Sequence, residues 1–335
     1  MRLTGLNLAQ HETPTADADP LWSSIQLQHR HVVFPYGLPV HVRSNHPAVI
    51  RVAEYSWGAC QPRYHEKPIE LRILVSHAPS RRKPPRPVFR AQSSLMAIVA
   101  DAENHACCDL VNGFGFACLS KRAVLDKDYL RYHFVEAMAY TLLDALHLVI
   151  FHAACVSFQG RGFLLVGESG AGKSSLAYAC ARRNWTYISD DATAVPRRRP
   201  ARLVVGNPRT FRFRPAAREL FPEIRGPIKL RNGKPTIEIP SDSFPGIATS
   251  DSCSPDFFLF LRRTNDSRRS PALVPIAREK AVERLFYQSL PVELGASEER
   301  LRTMESLLQG TQVCDFIYSD LESAISCLEE WAAKK

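Results

Sequence analysis

The chain has 335 residues, is 45% hydrophobic and carries a formal net charge of +9. That length can bury a large core and fits two domains. Its nine cysteines are scattered with no C-x-x-C pair, which argues against a zinc or disulfide framework and fits a reduced, cytoplasmic protein.

Residues 1–22 are polar and read as a loose N-terminus with no apolar core of signal-peptide type. Residues 23–148 read as a small α+β domain. Its β-prone runs include His31–Phe34, Ile69–Val75, Ser93–Ala100 and Phe114–Leu119, with a basic, Pro-rich surface loop at Arg81–Pro87. Asp128 reads as the cap of a helix from about Tyr129 to Leu148, with Leu130, Phe134, Ala137, Thr141 and Leu142 on one apolar stripe. The stretch Ala137–Val156 is the most membrane-like in the chain. It contains Asp144, His147 and His152 and splits into a helix followed by a strand, so no membrane span is expected.

Residues 149–335 carry the chemistry. Phe151–Phe158, a Gly-rich turn at Gln159–Gly162 and the run Phe163–Val166 predict a β-hairpin, with His152 at the start of its first strand. On pattern alone a lone histidine there is structural. Gly167, Glu168, Ser169, Gly170, Ala171, Gly172, Lys173 and Ser174 then match G-x-x-x-x-G-K-[ST], the phosphate-cradling loop. A strand before it and a helix after it, starting at Ser175, give the motif its required setting. The glycines let backbone N–H groups turn inward around an anion, and the helix start adds its own positive end. Lys173 is placed to reach the β- and γ-phosphates, and Ser174 to hold Mg²⁺.

Trp185–Ser189 predicts a parallel strand of a βαβ unit, ending in Asp190 and Asp191. A helix of about ten residues leaves the loop by about 15 Å, and a strand of about five residues returns by about 17 Å. Both carboxylates should therefore arrive beside the phosphates. One can hold Mg²⁺ and the other can accept a proton from an attacking hydroxyl. The chain is then basic. Arg197, Arg198, Arg199, Arg202, Arg209, Arg212, Arg214 and Arg218 show no nucleic-acid-binding motif, so no nucleic-acid partner is expected. Arg209 and Arg212, in the Gly/Pro loop Gly206–Arg212, are candidates for contact with the transferring phosphate. Asp256–Leu261 reads as a late strand, and Glu283–Tyr287, Glu298–Leu308 and Asp320–Trp331 as closing helices. Neither a transporter signature nor a guanine-reading Asn-Lys-x-Asp is present, which leaves adenine as the default base.

The histidine in His-Ala-Ala-Cys-Val, the hairpin, the phosphate loop and Ile-Ser-Asp-Asp-Ala resemble, in order and spacing, the catalytic domain of HPr kinase/phosphorylase. That family shares a phosphate-loop fold with phosphoenolpyruvate carboxykinase. The resemblance is close over Ile150–Val195 and implies an ATP- and Mg²⁺-dependent kinase acting on serine. By the resemblance Asp191 is the metal-side carboxylate, Asp190 the acid/base and His152 the histidine beside it. Subunits of the family assemble into rings, so a homo-oligomer is possible.

The chain also departs from the family. Ser175 stands where the family has Glu, Glu223–Gly226 lies more than thirty residues past the Asp pair, and the N-terminal half does not match. A divergent relative is implied, similar to kinases of bacterial biosynthetic clusters, some of which act on a peptide serine. The expectation is an α/β protein with an N-terminal α+β domain and a P-loop kinase domain transferring the γ-phosphate of ATP to a protein or peptide hydroxyl. A non-catalytic ATP-binding regulator and a kinase of a small hydroxylated metabolite stay open as alternatives.

Overall fold

The computed structural model describes residues 26–76, 82–197, 202–231, 233–266, 268, 270–286 and 297–334. The expected loose N-terminus, Arg81, Arg198, Arg199 and Tyr287 lie outside the described residues.

The N-terminal half is built on a seven-stranded sheet. In chain order its elements are β1 (His29–Val33), β2 (Val40–Ser44), α1 (Pro47–Trp57), β3 (Ile69–Ser76), β4 (Val88–Gln92), β5 (Leu95–Val99), β6 (His105–Asp109) and β7 (Phe114–Ser120). The strand order is β1-β2-β3-β7-β6-β5-β4, with β2, β3 and β7 mutually parallel and the flanking strands antiparallel. Strand β3 buries Ile69, Leu71, Ile73 and Val75 and half-exposes the residues between them, the period-two pattern of a strand. Helix α1 starts at Pro47, and the ring nitrogen Nδ1 of His46 accepts the Ala48 N–H at 3.2 Å.

Three helical pieces follow: α2 (Lys121–Leu125), α3 (Lys127–Leu130) and, after a π turn at Arg131–Val135, α4 (Glu136–Leu146). The expected helix is present but differs in two ways. Its cap is Asp126, whose carboxylate accepts the Tyr129 N–H at 3.0 Å, whereas Asp128 lies inside the first turn and pairs with Lys229 at 2.8 Å. It also ends at Leu146, before Leu148. The Arg197 side chain binds the carbonyls of Asp144, of Ala145 at 3.0 Å and of Leu148 at 2.8 Å, and so closes the helix end.

The second half comprises β8 (Leu148–Phe151), β9 (Ala153–Phe158), β10 (Arg161–Val166), α5 (Lys173–Arg182), β11 (Thr186–Ser189), β12 (Thr193–Pro196), β13 (Val204–Gly206), β14 (Thr210–Phe213), α6 (Ala217–Leu220), β15 (Ile228–Arg231) and β16 (Lys234–Pro240). These are followed by β17 (Ser252–Cys253), β18 (Pro255–Arg263), β19 (Ala272–Pro275), α7 (Arg278–Phe286), α8 (Ser297–Leu308), β20 (Gln312–Tyr318) and α9 (Leu321–Ala333). The main sheet has the order β11-β9-β10-β18-β20-β19. The hairpin turn between β9 and β10 has positive φ at both Gln159 (49°) and Gly160 (80°), the twist that suits a two-residue turn.

That hairpin overturns one expectation. Strand β9 occupies the slot beside β10, so β11 pairs antiparallel with β9 rather than parallel with β10. Strands β10 and β11 still point the same way, and both C-terminal ends meet at the phosphate loop. His152 is also displaced from its expected place, standing between β8 and β9 rather than at the start of a strand.

The main sheet packs on both faces. One side buries Phe163, Leu165, Phe257, Leu259 and Phe316 against α5 and α9. The other buries Leu164, Val166, Phe258 and Phe260 against α7 and α8. A separate cluster joins the N-terminal sheet and α4 to Leu148, Ile150, Ala194 and Val205 of β8, β12 and β13. All nine cysteines are free. Among the described residues, no helix is long and apolar enough to cross a membrane.

Candidate active site

The loop between β10 and α5 has the shape its glycines require. Gly170 and Gly172 both have φ of 95°, a left-handed conformation that side chains avoid. A Cβ on Gly172 would lie 2.3 Å from the Tyr318 hydroxyl. That hydroxyl donates to the Ala171 carbonyl at 3.0 Å, so β20 supports the loop from below. Glu168, Ser169 and Gly170 are exposed, which leaves the loop open on its outer side. Lys173 is 6% exposed and folds back, donating from Nζ to the carbonyls of Gly167 at 2.6 Å and Glu168 at 3.0 Å. Ser174 and Ser175 lie in the first turn of α5, and Ser174 Oγ stands 3.5 Å from the Asp190 carbonyl. The carboxylate pair therefore does return to the loop.

The two carboxylates occupy different environments. Asp190 is buried, and its Oδ2 accepts the Arg212 backbone N–H. Burial pushes its carboxyl up to about 7, although Arg212 pulls in the other direction. Asp191 pairs with Arg231 at 2.5 Å and with His152 at 3.3 Å. Burial alone would raise its carboxyl too, but Arg231, Arg212 and His152 outweigh that and hold it well below the usual range. His152 also meets the Asp191 carbonyl through Nδ1 at 2.8 Å, and partial burial lowers its pKa despite the adjacent carboxylate.

Arg212 is on strand β14, not in the expected loop, and acidic groups engage its guanidinium. Its Nε is 3.0 Å from Glu238, and its Nη1 is 3.9 Å from Asp190. Glu238, on β16, also accepts from Arg131 at 2.9 Å and from the Tyr132 hydroxyl at 2.6 Å. Arg131 in turn pairs with Glu136 at 2.6 Å, and Glu136 accepts from Ser56 Oγ at 2.9 Å. Burial opposes the ionised Glu238, but Arg212 and Arg131 prevail and pull it down to about 2. This buried network runs from α1 through the π turn to the Asp190 side of the site.

Arg209 lies elsewhere. It lines a cavity of about 250 Å³ with Tyr36, Cys60, Arg63 and Asp251, between the two halves. Mg²⁺ can be tested against the donors present. Ser174 and Asp191 offer a hydroxyl and a carboxylate, and among the described residues no cluster of three or more His, Cys, Asp or Glu could cage a metal. One carboxylate and one hydroxyl suit a Mg²⁺ ion that arrives with phosphate and water ligands.

Residues 146–220 match the HPr Serine kinase C-terminal domain. This part of the chain is HPr kinase-like. A solved structure, the Hpr(Ser) kinase/phosphatase from Coxiella burnetii, is similar over 56% of this chain and 99% of that chain, with 13% identity and a TM-score of 0.29. Among curated proteins none matches.

The HPr kinase-like segment contains His152, the phosphate loop, the Asp pair, Arg209 and Arg212. It ends before the hairpin β15–β16, whose Arg231, Lys234 and Glu238 sequence reasoning missed. Lys234 Nζ reaches Ser169 Oγ of the phosphate loop at 3.4 Å. The missed signal is Asn232-Gly233 between two alternating runs, a strong short-range mark of a tight hairpin.

Proposed function

We propose that the chain is an ATP-dependent phosphotransferase acting on a hydroxyl, most simply a serine of a protein or peptide. The observation that carries this reading is the divergence of two adjacent carboxyls beside the phosphate loop. Asp190 is held at about 7, and Asp191 stays ionised far below neutrality. Such a split separates a proton acceptor from a permanently charged metal-side group.

On this reading the loop amides and Lys173 hold the triphosphate, and Lys173 leaves its carbonyl partners to do so. Ser174 and Asp191 hold Mg²⁺, which supplies charge neutralisation on the phosphates. Asp190 takes the acceptor's hydroxyl proton as the acceptor oxygen bonds to the γ-phosphorus and the β–γ bridging bond breaks. His152 orients Asp191 through its ring Nδ1, which meets both the carbonyl and the carboxylate of that residue. The division at residues 148 and 149 is proposed as the boundary between an accessory N-terminal part and this machinery.

One observation favours a second reading. Asp190 is only 2% exposed, which would suit an ATP-binding regulator that transfers nothing. Transfer of labelled γ-phosphate from ATP and Mg²⁺ into a lysate of acceptors distinguishes the two. Label incorporated by the wild type and by neither Lys173→Ala nor Asp190→Asn supports the kinase. Lys173-dependent ATP binding without transfer to protein, peptide or metabolite pools supports the regulator.

A further inference from the structure

We propose that Arg231 is a transferable cation. Without nucleotide it neutralises Asp191, and on loading of the metal-bound triphosphate it yields that carboxylate and turns to the γ-phosphate. The inference rests on the kinase reading and adds to it a residue outside the family match.

Three observations carry it. Arg231 Nη1 lies 2.5 Å from Asp191 Oδ2, the carboxylate proposed to face the metal. A divalent cation on this carboxylate competes with the arginine, directly at Oδ2 and by charge repulsion from Oδ1, so loading the metal weakens the arginine's hold. The guanidinium is also incompletely used where it is, because its buried Nε has no hydrogen-bond partner. A buried donor left unmet is costly, which leaves Arg231 open to a better acceptor. Finally, Arg231 pairs in register with Lys234 at the end of the β15–β16 hairpin, and Lys234 reaches Ser169 in the phosphate loop at 3.4 Å. The tip of the hairpin therefore already stands at the place where phosphate would enter.

The charge balance gives the exchange its direction. Arg231 sits near Arg212 and packs its Cζ 5.3 Å from the Tyr132 ring, so Asp191 is its nearest compensation. When a metal takes that charge, the guanidinium needs another anion, and a γ-phosphate offers oxygens suited to its planar fork. ATP supplies that group and ADP does not. Arg231 should therefore oppose metal binding in the ADP complex and favour the triphosphate over the diphosphate.

The test is calorimetric titration of the full chain with Mn²⁺ in the presence of ADP, and with ADP and a non-hydrolysable ATP analogue at saturating Mn²⁺. Wild type, Arg231→Gln, Arg231→Ala and Arg231→Lys are compared. Removing the charge should tighten Mn²⁺ in the ADP complex by about tenfold, a normal size for coupling between competing ligands. It should also reduce the preference for the triphosphate by about tenfold, the value of a charged hydrogen bond. Arg231→Lys should stay near wild type on Mn²⁺ affinity. Unchanged or weaker Mn²⁺ binding in both neutral variants would overturn the exchange while leaving the kinase reading intact. Failure of the wild type to bind nucleotide and Mn²⁺ at all would remove both. Circular dichroism checks folding, and the Ala variant decides if the Gln variant does not fold.

Discussion

Replacing Glu238 by Gln tests whether the buried network holds the two halves of the site together. The change keeps shape and hydrogen-bonding capacity but removes one negative charge between Arg131 and Arg212. Glu238 is pulled from an ordinary 4.5 down to about 2. That difference is worth about 3 kcal/mol at neutral pH. It agrees with the usual cost of about 3–5 kcal/mol for leaving one side of a buried ion pair uncompensated. Because the folded-state value is depressed, the stabilisation is fully present above the unfolded value and fades as pH falls toward the folded one. The gap between wild type and variant should thus be about 3 kcal/mol at pH 7 and about 2 kcal/mol at pH 3.5. Urea unfolding followed by circular dichroism across that range measures it. A gap under about 1 kcal/mol that does not change with pH would refute the account, because the carboxylate would then have been neutral or unpaired all along.

The remaining predictions concern the loop, the base and a second buried pair. With Asp190 held at about 7, a base mechanism requires transfer to fall about tenfold per pH unit below 7; a rate that stays flat down to pH 5 would rule Asp190 out. Asp190→Asn should bind nucleotide as the wild type does in an equilibrium binding assay and transfer nothing. Gly172→Ala combines a φ of 95° with a Cβ 2.3 Å from the Tyr318 hydroxyl and should cost about 1–3 kcal/mol in urea unfolding, with loss of nucleotide binding. Adding Tyr318→Phe should recover only the steric part, and a Gly172→Ala protein with native nucleotide affinity would contradict the loop geometry. Arg300→Met leaves the fully buried Asp144 without its 2.5 Å partner and should destabilise by about 3 kcal/mol. Asp144→Asn in the same chain should restore much of this, because an amide oxygen can still accept the Ile150 N–H.

What could be read in the sequence divides according to range along the chain. The phosphate loop and the Asp pair are contiguous motifs, and their reunion follows from helix and strand lengths, so both were legible. The insertion of β9 between β10 and β11 was not, because the spacing from Val166 to Thr186 is the same for either pairing. Strand β20 escaped notice because Asp315 interrupts its apolar run. In the fold that carboxylate is matched by Arg284 of α7 at 2.7 Å, a partner 31 positions away. Arg131 and Glu136 were not singled out in the sequence, since they lie outside the apolar stripe of the expected helix, yet they are among the most deeply buried charges, with partners from α1 and β16 as well as each other. The arginines show the same limit most clearly. Composition could not tell Arg209, on a cavity between the halves, from Arg231, on the Asp pair.

The apolar cluster that joins α4 and the N-terminal sheet to Leu148, Ile150, Ala194 and Val205 bears on how such a chain can be rearranged over evolutionary time. A gene fragment starting at β8 would encode the whole proposed site but would leave those side chains facing water and remove Arg131 from Glu238. The half that carries the phosphate-loop motif is therefore ill-suited to recombination by itself. A lineage that exchanged its N-terminal partner would have to replace both an oily surface and a charge, which favours the two halves being inherited together.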